Sequence, residues 1–376
     1  MTHKDILLLV NVTATDEVYP TIIQYAREHD WRLAIEDRMA PPANWHGDGA
    51  LVQAMDFPAS TRYLNALRRR GIAVVSLTNT RSNAGFSVCS LDIRKGATLA
   101  AGHLAQCGFV HTASFSMEWN YGREMHSNAF ACAWNGNFRY WIWPLEASRR
   151  HLNDRSVMVR WLKAKLSESP HPIAIFTPNS YNALVALNTC LDLGMAVPED
   201  AAILSGCYDS AFCDCQAVPI SGVEYDTRLH AMEGAALLDR LVGSTQRASE
   251  RILIPPSRLV VQQSTDVLAT DDPLLRQALR FIRENIARPF GAAEIADRLA
   301  VPRIRLDRCF AAALRRSAGS EIARQRIECA KRLLADTNMT LNAIASECGF
   351  CHASHLINTF KRKTGMTPHR FRNARA

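Results

Sequence analysis

Each of two stretches near the C-terminal end of the chain carries polar and basic side chains on one face of a predicted helix. The other face of each helix is apolar. Leu306 and Phe310 lie four residues apart in the first stretch, as do Leu356 and Phe360 in the second, so each pair would pack inward. The outward residues of the first stretch are Arg303, Ile304, Asp307 and Arg308. Those of the second stretch are Ser354, His355, Asn358, Lys361 and Arg362. Side chains of these types can read base edges and pair with phosphates, so each outward face could enter a major groove of DNA.

A shorter helix and a tight turn precede each outward face. In the second stretch the apolar residues from Leu341 to Cys348 recur at helical spacing behind Thr340, a residue type that caps helix N-termini, and Gly349 ends the helix. In the first stretch residues 295–299 form the equivalent helix and residues 300–302 form the turn. The pattern therefore predicts two helix-turn-helix units in series.

A single amphipathic helix is predicted over residues 320–336, between the two units. Ile322 and Ile327 lie on its apolar face, whereas Arg324 and Arg326 lie on its polar face. At 1.5 Å per residue the helix would span about 25 Å. A rod of this length can hold two recognition helices about one turn of DNA apart, roughly 34 Å, so that both enter successive major grooves. One chain is therefore expected to bind two adjacent sub-sites of a double-stranded DNA operator.

The charge is divided unevenly along the chain. Leu274–Ala376 holds 20 Lys and Arg against 8 Asp and Glu, whereas residues 1–273 hold 24 against 28. Single arginines such as Arg315 or Arg316 could merely solvate an exposed helix face. A basic domain joined to a slightly acidic one is nevertheless what phosphate binding requires, and it supports the DNA-binding interpretation.

Three segments of this basic region resemble the AraC-type transcription regulators. They are RQRIECAKRLLADT, IASECGF and FKRKTGMTPHRFR. The resemblance implies a seven-helix DNA-binding domain over about residues 270–376. On matching positions it implies that the base-reading residues are Ile304, Asp307 and Arg308 in the first recognition helix and Ala353, Ser354 and Asn358 in the second.

The chain departs from that family at three positions. Ala300 stands where a glycine is common, Pro302 where a small N-capping serine is common, and Asn358 where a long basic side chain is often found. Proline is compatible with the first turn of a helix, so the first recognition helix is expected to form. The angle at which that helix starts is the feature that these departures put in question.

The N-terminal 265 residues alternate strand-like and helical stretches, which is typical of parallel sheets covered by helices. About nine such units exceed one sheet of ordinary size. The pattern predicts an α/β domain of two lobes with a cleft between them, and small ligands bind in such clefts at the carboxyl ends of the strands. We expect an effector-binding and dimerisation domain at residues 1–265, a linker at 266–273 and an all-α DNA-binding domain at 274–376.

Several N-terminal segments are similar to the ligand-binding domain of LacI-type repressors, which itself resembles periplasmic sugar-binding proteins. They are HGDGALV, AAGHLAQCGF, LGMAVPEDAAILSG and ILIPPSRLVVQQSTD. Together with an AraC-type domain, this organisation resembles the xylose-operon activator XylR group. The resemblance implies a homodimer in which a small polar effector, a sugar or sugar derivative, closes the cleft and repositions the DNA-binding domains. RNA polymerase is then a further expected partner.

The effector pocket is where the chain departs most from that group. Asp16 and His126 stand where arginine is usual, and Ser180 and Cys207 stand where aspartate is usual. Four changes together indicate a rebuilt pocket, because each hydroxyl of a buried sugar requires a hydrogen-bond partner. Each residue could instead be structural, with Cys207 packed beneath the sheet and Trp119 in the core. The remaining candidates for effector contacts are Asn11, Thr13, Trp119, Asn179 and Asp209.

Other classes of protein receive little support. No apolar run approaches 18 residues and the first residues do not read as a signal peptide, so a soluble cytoplasmic protein is expected. The eleven cysteines are scattered and odd in number, which favours reduced thiols. Cys213 with Cys215 and Cys348 with Cys351 are closely spaced, but a zinc site needs four convergent ligands, so neither a metal nor a cofactor is expected.

Three functions are therefore weighed. The favoured one is an effector-responsive DNA-binding transcription regulator, an activator by resemblance, of a carbohydrate-utilisation operon. The second is a regulator whose degenerate cleft binds no effector. The third is an enzyme-like α/β domain fused to a DNA-binding domain, against which the sequence around Cys207 lacks the second glycine of a nucleophile elbow.

Overall fold

The computed structural model describes most of the chain. The described residues are 3–10, 17–37, 42, 44–53, 58–79, 85–117, 123–143, 155–242, 244, 249–266, 270 and 272–373. They divide into two compact units, one of Met1–Gln106 with Val110–Asp266 and one of Val267–Ala376 with Cys107–Phe109.

The first unit contains two six-stranded sheets, as the excess of βα units predicts. The first sheet has the order β11-β5-β4-β3-β1-β2 and all its neighbouring strands are parallel. Its strands are β1 (Lys4–Val10), β2 (Trp31–Asp37), β3 (Gly49–Val52), β4 (Ala73–Ser76), β5 (Ser87–Leu91) and β11 (Arg251–Ile254). Each sheet with its covering helices forms one lobe of an α/β domain.

The second sheet has the order β12-β10-β9-β8-β6-β7, and only β12 runs antiparallel to its neighbour. Its strands are β6 (His111–Met117), β7 (Asn137–Trp143), β8 (Ile173–Thr177), β9 (Ala201–Ser205), β10 (Ser221–Tyr225) and β12 (Pro256–Val260). Strands β8 and β9 are buried along their whole length, because helices cover both faces of a parallel sheet.

The helices of the first unit lie between successive strands. They are α1 (Val18–Glu28), α2 (Pro58–Arg69), α3 (Ile93–Gln106), α4 (Asn128–Ala133), α5 (Arg155–Ser167), α6 (Ser180–Asp192), α7 (Ser210–Cys213) and α8 (Thr227–Val242). A π-helical turn at Arg123–Ser127 leads directly into α4. The chain leaves the first sheet through α3 and returns to it through α8, so both lobes are built from discontinuous parts of the sequence.

The described residues of the second unit form seven helices, as the AraC resemblance implies. They are α9 (Pro273–Glu284), α10 (Ala292–Arg298), α11 (Arg303–Leu314), α12 (Ala318–Asp336), α13 (Leu341–Glu347), α14 (Ala353–Thr364) and α15 (Pro368–Asn373). Helices α10 and α11 form the first helix-turn-helix unit, and α13 and α14 form the second. Helix α12, predicted over 320–336, begins two residues earlier because Ser317 caps it by accepting a hydrogen bond from the Ser320 amide.

Two small apolar cores hold the two helix-turn-helix units, and α12 contributes to both. Ile322 packs with Leu306 and Phe310 in the first core. Ile327, one and a half turns further along α12, packs with the second core around Leu356 and Phe360. The apolar face of α12 therefore lies partly in each core, so one helix connects the two helix-turn-helix units.

Candidate functional site

The first recognition helix, α11, presents a mixed face. Leu306 and Phe310 are fully buried, whereas Arg303, Ile304 and Arg308 are exposed and Asp307 is partly exposed. Ile304 is 68% exposed, far more than an isoleucine usually is. The Arg303 Nε lies 2.9 Å from Asp307 Oδ2, so these two charges form an ion pair one turn apart on the helix. We call Arg303, Ile304, Asp307 and Arg308 the first reading face.

The second recognition helix, α14, presents a polar and basic face. Its side chains Ser354, His355, Asn358, Lys361 and Arg362 are exposed and Ala353 is partly buried. The His355 ring packs edge-on against Phe350, with the ring centroids 5.2 Å apart, so its orientation is fixed by the turn of the same unit. We call these six residues the second reading face. All ten predicted DNA-contacting residues thus lie on α11 and α14.

Each turn that leads into a recognition helix contains one residue with a left-handed backbone, two positions after the last residue of the preceding helix. Ala300 has φ 52° and Gly349 has φ 67°, both in the left-handed region. Helix α11 then begins after Pro302, whose φ of −59° is the angle that a proline ring requires, and the helix forms with regular hydrogen bonds to the Pro302 carbonyl. Neither Pro302 nor His352 supplies a side-chain cap to the helix that follows it.

Sequence reasoning missed one buried residue beside these units. Arg326, which the pattern places on the polar face of α12, is only 9% exposed and donates a hydrogen bond to the Arg288 carbonyl oxygen at 2.9 Å. Periodicity alone could not identify it, because its partners lie almost forty residues earlier in the chain.

In the first unit, three predicted effector residues come together at the carboxyl ends of β8 and β9. The Asn179 side chain accepts a hydrogen bond from the Asn182 amide and caps α6, and the Asp209 side chain caps α7 through the Ala211 amide. The Ser180 Oγ donates to the Cys207 carbonyl oxygen at 2.8 Å. These three side chains therefore hold the loops at the end of the sheet.

The hydrogen-bonding capacity of the Ser180 hydroxyl is largely used inside its own lobe. Besides donating to the Cys207 carbonyl, it accepts from the Asp209 amide at 3.0 Å and lies 3.2 Å from the Cys213 Sγ. The Ser205 Oγ also lies 3.3 Å from it. A hydroxyl has one donor and two lone pairs, so these four partners leave little for a ligand. This geometry favours a structural role for Ser180 over the effector contact that the sequence suggests.

His126 packs against Gly206, and Cys207 is the next residue along the chain. A Cβ atom added to Gly206 would lie 2.8 Å from Phe176 Cζ and 3.0 Å from His126 Nδ1, so the imidazole packs closely against this glycine. His126 is 8% exposed, and burial lowers its pKa to about 4. Burial also raises the pKa of the partly buried Cys207 thiol to about 12. Both side chains are therefore uncharged at neutral pH, and Cys207 is not an activated nucleophile.

Four other predicted effector residues, Asn11, Thr13, Asp16 and Trp119, lie outside the described residues. Within the described ranges no group of three or more His, Cys, Asp or Glu side chains is arranged to hold a metal ion. The same ranges contain no helix with the length and apolar character needed to cross a membrane.

Two protein families match the chain in separate regions. A periplasmic binding protein-like domain matches residues 101–265, and a helix-turn-helix domain matches residues 295–374. Among curated proteins, the xylose operon regulatory protein of Haemophilus influenzae is 26% identical over 281 residues, which are 73% of this chain and 71% of that protein. The Escherichia coli K12 protein of the same name is 26% identical over 208 residues, 55% of this chain and 53% of that one.

Solved structures show the same arrangement of elements. The xylose-binding transcription activator xylR has a TM-score of 0.77 at 21% identity and covers 100% of this chain and 99% of its own. A LacI family transcriptional regulator from Bifidobacterium animalis subsp. lactis has a TM-score of 0.58 at 18% identity and covers 71% of this chain and 98% of its own. The similar proteins named here are transcription regulators and not enzymes. The chain therefore joins a periplasmic binding protein-like domain to an AraC-type helix-turn-helix domain, the combination of a DNA-binding transcription regulator.

Proposed function

We propose that the two reading faces bind adjacent sub-sites of one operator while the cleft of the first unit binds a small, uncharged polar effector. The exposed faces on α11 and α14 support the DNA part of this proposal. Within it, Ile304, Asp307, Arg308, Ala353, Ser354 and Asn358 read bases. Lys361 and Arg362, in the last turn of α14, contact phosphates, since exposed cations there can pair with the DNA backbone.

The observation that carries the effector part is the neutral His126 imidazole beside Gly206. A neutral imidazole offers one donor and one acceptor, which suits a hydroxyl of a sugar or sugar derivative. It offers no positive charge to a carboxylate or phosphate, unlike the arginine that the family usually has there. Neutral sugars and polyols are therefore the expected effector class, and the regulated genes are expected to serve carbohydrate utilisation.

A thermal-shift screen followed by calorimetry tests the effector proposal. At one hundred times its dissociation constant, a real effector stabilises the folded state by about 2.7 kcal/mol. We expect a stabilising hit among neutral sugars, and weaker binding of that hit to His126→Leu than to the unaltered chain. A hit confined to sugar acids would contradict the neutral pocket.

A second candidate is a regulator that responds to no effector. The internal hydrogen bonds of Asn179, Ser180 and Asp209 favour it, because these polar groups at the cleft edge already have partners in their own lobe. This candidate predicts that no compound in the screen stabilises the chain, whereas one stabilising hit that also changes operator binding excludes it.

We further propose the domain boundaries and domain functions that the resemblance implies. Residues 1–265 form the effector-binding and dimerisation domain, 266–273 the linker and 274–376 the DNA-binding domain, with α9 starting at Pro273. The regulator acts as a cytoplasmic homodimer and contacts RNA polymerase. Sedimentation of the full chain with and without operator DNA tests the dimer, since a monomer under both conditions would contradict it.

A further inference from the structure

The Arg326 guanidinium contacts parts of the DNA-binding domain that are distant in sequence. It lies on α12 with its side chain buried, and its Nη2 donates hydrogen bonds to the carbonyl oxygens of Arg288 at 2.9 Å and Phe290 at 3.4 Å. Both carbonyls belong to the loop between α9 and α10, which is part of the first helix-turn-helix half. A buried cation held by carbonyl oxygens has little freedom to move without losing charge-assisted hydrogen bonds.

Two aromatic rings also lie against this cation. The guanidinium carbon lies 5.1 Å from the centroid of the Phe290 ring and 6.0 Å from that of Phe350. Phe290 belongs to the first helix-turn-helix half, whereas Phe350 follows Gly349 in the turn of the second helix-turn-helix half. Both distances are within the range of a cation–π interaction. One side chain therefore contacts both halves of the DNA-binding unit.

Gly349 shows how closely the two halves approach at this point. A Cβ atom added there would lie 2.3 Å from the Ile286 carbonyl oxygen, 2.7 Å from the Arg288 carbonyl oxygen and 3.1 Å from Arg326 Nε. The turn before α14 thus lies directly against the loop between α9 and α10. The packing leaves no space for a larger residue between them.

We propose that Arg326 is a positioning residue that fixes the separation and angle of the two reading faces, and so the DNA spacing that the regulator accepts. Helix α12 contributes residues to both cores, and a bend or rotation near its middle would change both quantities. Arg326 prevents this by attaching the middle of α12 to the loop before α10 and to the turn before α14. The inference rests on the proposed binding of two adjacent sub-sites by one chain.

The test uses the full chain and a DNA fragment that it selects from a random pool. Spacer variants carry one base pair more or fewer between the sub-sites, and a further fragment has one sub-site randomised. Arg326→Met keeps most of the side-chain volume but removes the hydrogen bonds and the charge. Lys331→Met is the matched control, because Lys331 lies on the same helix and pairs with Glu328 three residues before it.

We expect the unaltered chain and Lys331→Met to bind the altered spacers about tenfold more weakly than the selected spacing, since a displaced reading face loses its base contacts. Arg326→Met should bind the selected spacing more weakly and distinguish the spacers by less than about threefold, while its binding to the one-sub-site fragment is unchanged. An unchanged spacer ratio in Arg326→Met would overturn the inference even if its thermal stability falls.

Gly349→Ala keeps the assay informative if Arg326→Met does not fold. It disturbs the same contact without changing charge, and it should also relax the spacer preference. Amide hydrogen exchange provides a readout without DNA, because protection of α10 and α11 should become independent of protection of α13 and α14. If the unaltered chain protects only one sub-site in footprinting, the proposed two-site binding fails. If it protects two and both variants keep its spacer ratio, the role of Arg326 fails.

Discussion

Ala300 and Gly349 occupy the same position in the two helix-turn-helix units, and both have a left-handed backbone, with φ of 52° and 67°. The second helix-turn-helix unit has glycine at this left-handed position, whereas the first helix-turn-helix unit has alanine there. The same contrast recurs where the recognition helices end, with Arg315 at φ 51° and Gly365 at φ 80°. Since left-handed conformations cost an L-residue about 1 kcal/mol or more, the first helix-turn-helix unit is the more strained of the two.

Ala300→Gly should therefore stabilise the first helix-turn-helix unit. We expect a gain of about 0.5–1 kcal/mol, because glycine adopts positive φ without the steric penalty that the Ala300 Cβ atom causes, although it loses more chain entropy on folding. Amide hydrogen exchange in α10 and α11 measures the change locally. Ala312→Gly, at an exposed position in the interior of α11, is the matched control and should destabilise by about 1 kcal/mol. Equal losses in both variants would show that the left-handed turn stores no strain.

Ile304 should read a thymine methyl group. It is an unusually exposed apolar side chain on the first reading face, and apolar contacts in the major groove distinguish thymine by its C5-methyl group. Replacing the contacted thymine of a selected operator with uracil removes only that methyl, and should weaken binding by about 1 kcal/mol or more. Ile304→Ala should abolish the difference between the two DNAs. A full thymine preference in Ile304→Ala would assign the methyl contact to another residue.

Arg308 and Lys361 should differ in how their loss affects binding. Arg308→Ala should cost about 1–3 kcal/mol on the selected operator and relax base preference at one sub-site. Lys361→Ala should weaken binding to all sequences and reduce the salt slope by about one unit, because one phosphate contact fewer releases fewer counterions. Titrations of specific and random DNA at several salt concentrations separate the two effects. Identical behaviour of the two variants would contradict the assignment of base and phosphate contacts.

The sequence predicts the helix-turn-helix units well because their information is local. Thr340 caps α13 through the Ala343 amide, and the spacing of Leu356 and Phe360 defines the buried face of α14. Edge strands were harder to predict. Strand β2, at the edge of its sheet, does not alternate regularly between buried and exposed residues. Its place depends on pairing with β1 and not on its own pattern.

The candidate sites needed three-dimensional information for a different reason. Ser180 and Asp209 are polar residues at the ends of strands, and sequence alone cannot show that they bond to each other and to their own loops. Arg326 looks like a surface residue by periodicity, yet carbonyl groups from a distant loop compensate its burial. In both cases the chemistry of the residue was evident, but its partners were not.

His126 should make the stability of the first unit depend on pH. Burial lowers its folded-state pKa to about 4, whereas an unfolded chain has a histidine pKa of about 6.5. Between these values the unfolded state binds a proton that the folded state does not, so stability falls as pH drops from about 6.5 to about 4 and levels off below that. The contribution lost between pH 7 and pH 5 is about 2 kcal/mol.

The comparison with His126→Gln isolates this contribution from that of other histidines, including His103, whose pKa is also lowered by burial. Glutamine does not titrate, so the difference in unfolding free energy between the two proteins should change by about 2 kcal/mol from pH 7 to pH 5, with the unaltered chain losing more. Urea unfolding of the full chain followed by tryptophan fluorescence, which reports on the first unit, measures the difference. Parallel pH curves for the two proteins would mean that His126 becomes protonated in the folded state near its ordinary pKa. The proposed effector site would then no longer be restricted to a neutral imidazole, and the expectation of neutral effectors would lose its support.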